Sequence, residues 1–315
     1  MITGNEAPAR RPGARTAAGA LLGGLTAVVM WGLAPVATRG LVGHLAPLPV
    51  LVLRTCLAAL ILLPWAVPVL RRLDRRHAVR LAAAGLLGMI GYTLPVTVGL
   101  QWLPASTAGL LLASEPVWVM LIGRVFLAER LPARAWAGSA IAMAGIALLA
   151  GPAALTGAGG LRALGGAGLV LAGTLAFAGY TIVLRPLSGA YGALGATAAS
   201  TVMGAIPCLA LAGTISVPAL TRLAAPAWGE LAFLAVGSSA AGMILWNLAV
   251  AVAGSARASL LLYLEPVVSV GGAALFLGEH VTLAKIAVGL LILFGVAVAA
   301  TARPGRPASR EHPSS

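Results

Sequence analysis

The chain has 315 residues, of which 60% are hydrophobic and only 9% charged, where a soluble globular domain carries roughly a quarter charged. That composition excludes an ordinary soluble enzyme or binding module. Continuous apolar runs about 20 residues long predict an all-α polytopic membrane protein rather than a barrel. The net charge of +13 would suggest nucleic acid in a soluble protein. Here arginine at cytoplasmic loops accounts for it, and no nucleic-acid partner is expected.

Residues 1–16 are polar, with Arg10, Arg11 and Arg15, and read as a cytoplasmic segment ahead of a retained first helix rather than as a signal peptide. Ten apolar spans follow, at about 17–38, 48–70, 80–102, 106–127, 134–151, 166–186, 192–215, 229–251, 257–277 and 282–302. Short loops marked by Pro, Gly or Arg join them. Pro35 and Pro95 are expected to kink the first and third spans. Residues 303–315 form a polar tail. Cys56 and Cys208 both fall in apolar runs, so neither a disulfide framework nor a thiolate metal site is indicated.

The fourth and ninth spans repeat one another. Leu110, Leu111, Leu112, Glu115, Pro116, Val117, Phe126, Leu127 and Glu129 each have an identical residue 150 positions later. A Glu-Pro pair inside a span, with a second Glu fourteen residues on, marks an internal duplication. The predicted units are residues 17–152 and 166–302. Five helices per unit is an odd number, so the copies must cross the membrane in opposite directions, as an inverted-topology repeat that favours alternating access. With the N-terminus in the cytoplasm, the inside segments hold fifteen basic residues and the outside segments four. That asymmetry predicts a multi-pass protein of the cell membrane with both termini cytoplasmic.

Glu115 and Glu265 lie near the middle of their spans, where a carboxyl generally faces a cavity or a partner. Three roles are open to them: taking and releasing a proton as the cavity alternates, recognising a cationic group, or bonding a neighbouring helix backbone. Pro116 and Pro266 lack an N–H, so Leu112 and Leu262 lose helical partners there. Arg54 is the other costly residue. It can pair with Glu115, snorkel to the interface, or hold a substrate carboxylate or phosphate. Trp31, Tyr92, Trp118, Tyr180, Trp246, Asn247 and Tyr263 are polar or amphipathic groups inside spans, of the kind that line a pocket for an organic solute. Each alone is also ordinary packing. Glu129 and Glu279 sit at span ends, where capping of the following helix or pairing with Arg130 or Arg134 and with Lys285 is expected. The four histidines are scattered without metal-ligand spacing, and no phosphate loop or catalytic set is legible, so neither a metal nor a cofactor is expected.

LLLASEPV…FLAE and LLLYLEPV…FLGE, with Trp31-Gly32 early in the first span and Arg54 in the second, resemble the EamA family of the drug/metabolite transporter superfamily. The resemblance covers about residues 17–302. It implies ten helices as two inverted five-helix repeats, a central cavity, and transport of small metabolites such as amino acids or drug-like solutes, often efflux. It is almost silent on substrate. Where the second half would carry a Trp, this chain has Tyr180. A proton-coupled or facilitated exporter is the leading reading. A membrane-embedded enzyme or a non-transporting sensor are the alternatives, and an enzyme would need an intramembrane catalytic set that the sequence lacks. Oligomeric state is not legible.

Overall fold

The computed structural model describes residues 14–126, 132–155, 160–253 and 260–300. Among these every regular element is helical. The first stretch contains α1 (Ala14–Leu41), α2 (Pro47–Leu70), α3 (Arg75–Gly85), a π segment (Leu86–Tyr92), α4 (Thr93–Gly99), α5 (Ala105–Leu112) and α6 (Glu115–Phe126). Next come α7 (Ala133–Leu155), α8 (Gly160–Tyr191), α9 (Ala193–Ala210), α10 (Val217–Thr221), α11 (Ala225–Ala232), a second π segment (Phe233–Ala241) and α12 (Gly242–Ala253). A 3-10 turn (Leu260–Leu264), α13 (Glu265–Leu277) and α14 (Leu283–Ala300) complete it.

Seven continuous helical stretches are long and apolar enough to cross a membrane, and three shorter apolar helices, Ala133–Leu149, Glu265–Leu277 and Leu283–Ala299, accompany them. Leu275, Phe276, Leu290 and Phe294 stand 61–82% exposed on α13 and α14. In water such a surface would be a liability; against lipid tails it is ordinary.

Two of the sequence expectations need amending. The third span is one helix, yet it is not uniform: the π segment lies just ahead of Pro95. A proline cannot donate to the carbonyl four residues back, here that of Gly91. The second π segment, Phe233–Ala241, has no proline within it or just after it, so a proline is not required for such a segment. The fourth span changes its hydrogen-bond pattern ahead of the Glu-Pro pair. Ser114 N–H donates to Leu111 O at 3.0 Å and Val117 N–H to Ser114 O at 2.9 Å, a tight turn that separates α5 from α6. The ninth is interrupted at the matching place, where a 3-10 turn gives way to α13. Pro at a helix's first turn is benign, so the Glu-Pro pairs start new helices instead of bending old ones.

The packing is close to unchanged when the two halves are exchanged. α2 lies against α9, α5 against α13, and α7 against α14. α1 lies against the second π segment, α12 and α13, and α8 against the first π segment, α4 and α6. Helices in lipid gain little from apolar burial and associate through close contact instead. Gly138 and Gly295 supply one such contact: a Cβ at either would run into the other helix's backbone, so α7 and α14 touch main chain to main chain.

Candidate functional site

The turn at Ser114 places Glu115 as the first residue of α6, and Glu265 stands as the first residue of α13. Each thus begins a helix within a span, where the dipole favours a carboxylate, although in α6 the first-turn N–H groups of Val117 and Trp118 already bond Ser114 O at 2.9 and 3.4 Å. The two acids lie within electrostatic range of each other, and both lie in range of Tyr92, which also neighbours Arg54. All four are deeply enclosed by protein but keep part of their surface accessible.

α1 brings a second set of contacts to the same region. Trp31 donates its indole N–H to Ser238 O in the second π segment at 2.9 Å. Its ring packs at a tilt of 54° against Trp246 of α12 with centroids 5.3 Å apart, and Gly242 gives it room. The adjacent Gly32 lets α1 press on α13 at the Glu265 carbonyl and Val268, a place a Cβ would occupy. The Trp-Gly pair is therefore a two-part contact, one residue binding the π segment and the next meeting the acid-bearing helix. α8 does the equivalent in the other half. Tyr180 packs on Gly88 of the first π segment, and a ladder runs from Tyr180 through Phe177 to Tyr92, with centroids 5.1 and 5.0 Å apart.

Arg54 does not pair with Glu115. Its Nε donates to the Ser239 hydroxyl at 2.9 Å, and one Nη to the Ser238 hydroxyl at 3.4 Å. Arg54, Tyr92, Glu115, Glu265, Trp31, Trp246 and Tyr180 are thus drawn together. Two predicted residues bond groups four positions back: Trp118 donates to the Ser114 hydroxyl at 3.1 Å and Asn247 to Met243 O at 2.8 Å. The Tyr263 side chain lies outside the described residues, as does Glu129. Ser238, Ser239 and Phe177 were not predicted. An adjacent pair of hydroxyls in mid-span was the signal available for the first two.

Glu279 departs from expectation as well. It neither caps the helix that follows it nor ion-pairs with Lys285. It reaches across to the other half, accepting from Ala105 N–H at 2.5 Å, Ser106 N–H at 3.1 Å and the Ser106 hydroxyl at 2.5 Å. Lys285 donates to the same hydroxyl at 2.9 Å. α5 has no cap from its own Pro104, so a carboxylate from the opposite repeat performs that role.

Two hollows are lined by other residues and include neither the acids nor Arg54. One of about 500 Å³ is lined by Arg39, Val42, Gly43, Gln101 and Trp102. The other, about 440 Å³, lies among the start of α2, Leu94, Val98 and Thr214.

The profile of the EamA-like transporter family matches residues 18–151 and again residues 164–301. The chain belongs to this family. It is 25% identical over 279 residues to a protein of Archaeoglobus fulgidus named "Uncharacterized transporter", covering 85% of this chain and 94% of that one. It is 31% identical over 209 residues to a protein of Streptantibioticus cattleyicolor named "Probable terminal-alkyne amino-acid exporter", covering 66% and 68%. A similarly named transporter of Bacillus subtilis is 24% identical over 262 residues, covering 82% and 86%. A crystal structure with 20% identity superposes with a TM-score of 0.62 over 90% of this chain and 97% of that one, which shows a shared fold. The protein is a multi-pass membrane transporter.

Proposed function

We propose that the protein is a secondary transporter, an exporter, of small organic metabolites such as amino acids or drug-like solutes, working by alternating access. Its membrane part comprises ten helices as two inverted repeats, residues 17–152 and 166–302, with both termini in the cytoplasm. The observation that carries this reading is the pair of Glu-Pro helix starts. Two costly acids, one from each repeat, come within range of each other at interruptions in their spans. Such interruptions are tolerated in membranes where they line a cavity.

The packing that survives exchange of the halves supports a pseudo-two-fold axis, and such a pair has two equivalent tilts. Two carboxylates within electrostatic range of each other favour a positive charge between them, either a proton or an ammonium group. Glu115 and Glu265 are accordingly the coupling residues as well as part of the substrate seat. The relative named as an amino-acid exporter supports the same solute class. The test is counterflow. Vesicles holding the purified protein and loaded with unlabelled norleucine are expected to accumulate external labelled norleucine transiently. A set of amino acids and organic amines that all behave as in protein-free vesicles overturns the reading.

A further inference from the structure

Arg54 is a deep charge without a counter-ion. Its partners are two neutral serine hydroxyls, and among the described residues it makes no ion pair. Burying an uncompensated charge is expensive, and removing its cost requires an opposite charge with good geometry. A guanidinium has five N–H donors, and only two are spoken for here. Ser238 and Ser239 accept from Arg54, so their own hydroxyl hydrogens remain free to donate elsewhere. The group of three is therefore rich in unused donors. It is also rigid: the Trp31 indole pins the π segment at Ser238 O, and the Trp31–Trp246 pair abuts it.

The charge of the surroundings selects the anion. One guanidinium balances one negative charge, whereas Glu115 and Glu265, which share Tyr92 with Arg54 as an electrostatic neighbour, disfavour a dianion. A phosphate monoester is thereby rejected and a carboxylate fits. We propose that Arg54, held by Ser238 and Ser239, seats the carboxylate of a zwitterionic solute whose ammonium end lies toward Glu115 and Glu265. The inference deepens the carrier reading by naming the substrate class of that same cluster, and it rests on that reading.

Three probes of one size separate the two ends: norleucine carries both charges, hexanoate only the carboxylate, and n-pentylamine only the amine. Binding to the purified full chain is read from quenching of its tryptophan fluorescence. Arg54→Gln is expected to weaken norleucine and hexanoate by about 10-fold or more, the scale of a lost charge-assisted pair, and to leave n-pentylamine within about 3-fold. Arg54→Lys, which keeps the charge without the fork, is expected to recover part of the hexanoate binding. Ser239→Ala leaves the guanidinium in place and is expected to weaken hexanoate less than Arg54→Gln does. Equal losses for all three probes, or wild-type protein that does not bind hexanoate, overturn the assignment. Flux of the same probes in vesicles tests the carrier reading separately. Binding that depends on Arg54 without flux refutes only the carrier, and flux without any such dependence refutes only the seat.

Discussion

Glu279→Gln tests whether the two repeats separate at the face where α5 begins. In the structure the carboxylate joins three donors of the opposite repeat, two backbone N–H groups and the Ser106 hydroxyl. A hydrogen bond to a charged group contributes about 1.5–3 kcal/mol, and a negative charge at a helix N-terminus about 0.3–1 kcal/mol. Glutamine keeps one carbonyl oxygen, but its NH2 group must face a backbone N–H, so one donor of α5 loses its acceptor and the charge is gone. Roughly 2 kcal/mol less stabilisation of the closed contact follows, which is about a 30-fold change in the closed-to-open ratio. Spin labels at positions 101 and 284, both exposed and one in each half, read that ratio as a distance distribution, with Cys56 and Cys208 replaced by serine. Wild type is expected to show the short distance predominantly, and Glu279→Gln to add a longer one. Ser106→Ala, which removes the hydroxyl but neither N–H, is expected to shift the populations less. Identical distributions in wild type and Glu279→Gln would refute the idea that this cap holds the repeats together.

Glu115→Gln and Glu265→Gln are expected to leave folding near intact and to flatten the pH dependence of counterflow, and an unchanged profile in both variants removes the proton role. Gly138→Leu or Gly295→Leu forces side chain into a backbone contact and is expected to cost at least about 1–3 kcal/mol in thermal unfolding. Gly271→Leu, where nothing stands in the way, serves as the tolerated control. Gly32→Val pushes α1 off the Glu265 carbonyl and is expected to abolish transport while the protein still reaches the membrane, as surface labelling would check.

The apolar runs were legible because burial in lipid is a local property that each span must satisfy by itself. The Glu-Pro duplication was legible for a similar reason, since each copy carries its whole signal. What composition could not reveal is the turn geometry inside a span. Hydropathy is the same for an α turn and a π turn, so Leu86–Tyr92 and Phe233–Ala241 look like plain helix in sequence. Just before Glu115, Ser114 also turns its hydroxyl onto Leu111 O at 2.7 Å, beside the Leu112 carbonyl that Pro116 leaves without a helical donor. Partners across the fold were least legible. Serines in spans commonly bond a carbonyl in their own helix, as Ser139 does with Ala135 O, so the adjacent hydroxyls of Ser238 and Ser239 did not by themselves point to Arg54. Glu279 finds its donors at positions 105 and 106, and only the packing of α5 on α13 brings them together.

Two-sided access to the central cluster is the most direct measure of the account. A cysteine placed at Ser239, with Cys56 and Cys208 replaced by serine, is exposed to a membrane-impermeant thiol reagent added to one side of sealed vesicles at a time. Modification is expected from either side, with saturating solute slowing both reactions. A position 239 cysteine that reacts from neither side, or from one side only under counterflow conditions, would contradict a cavity that opens alternately to the two faces.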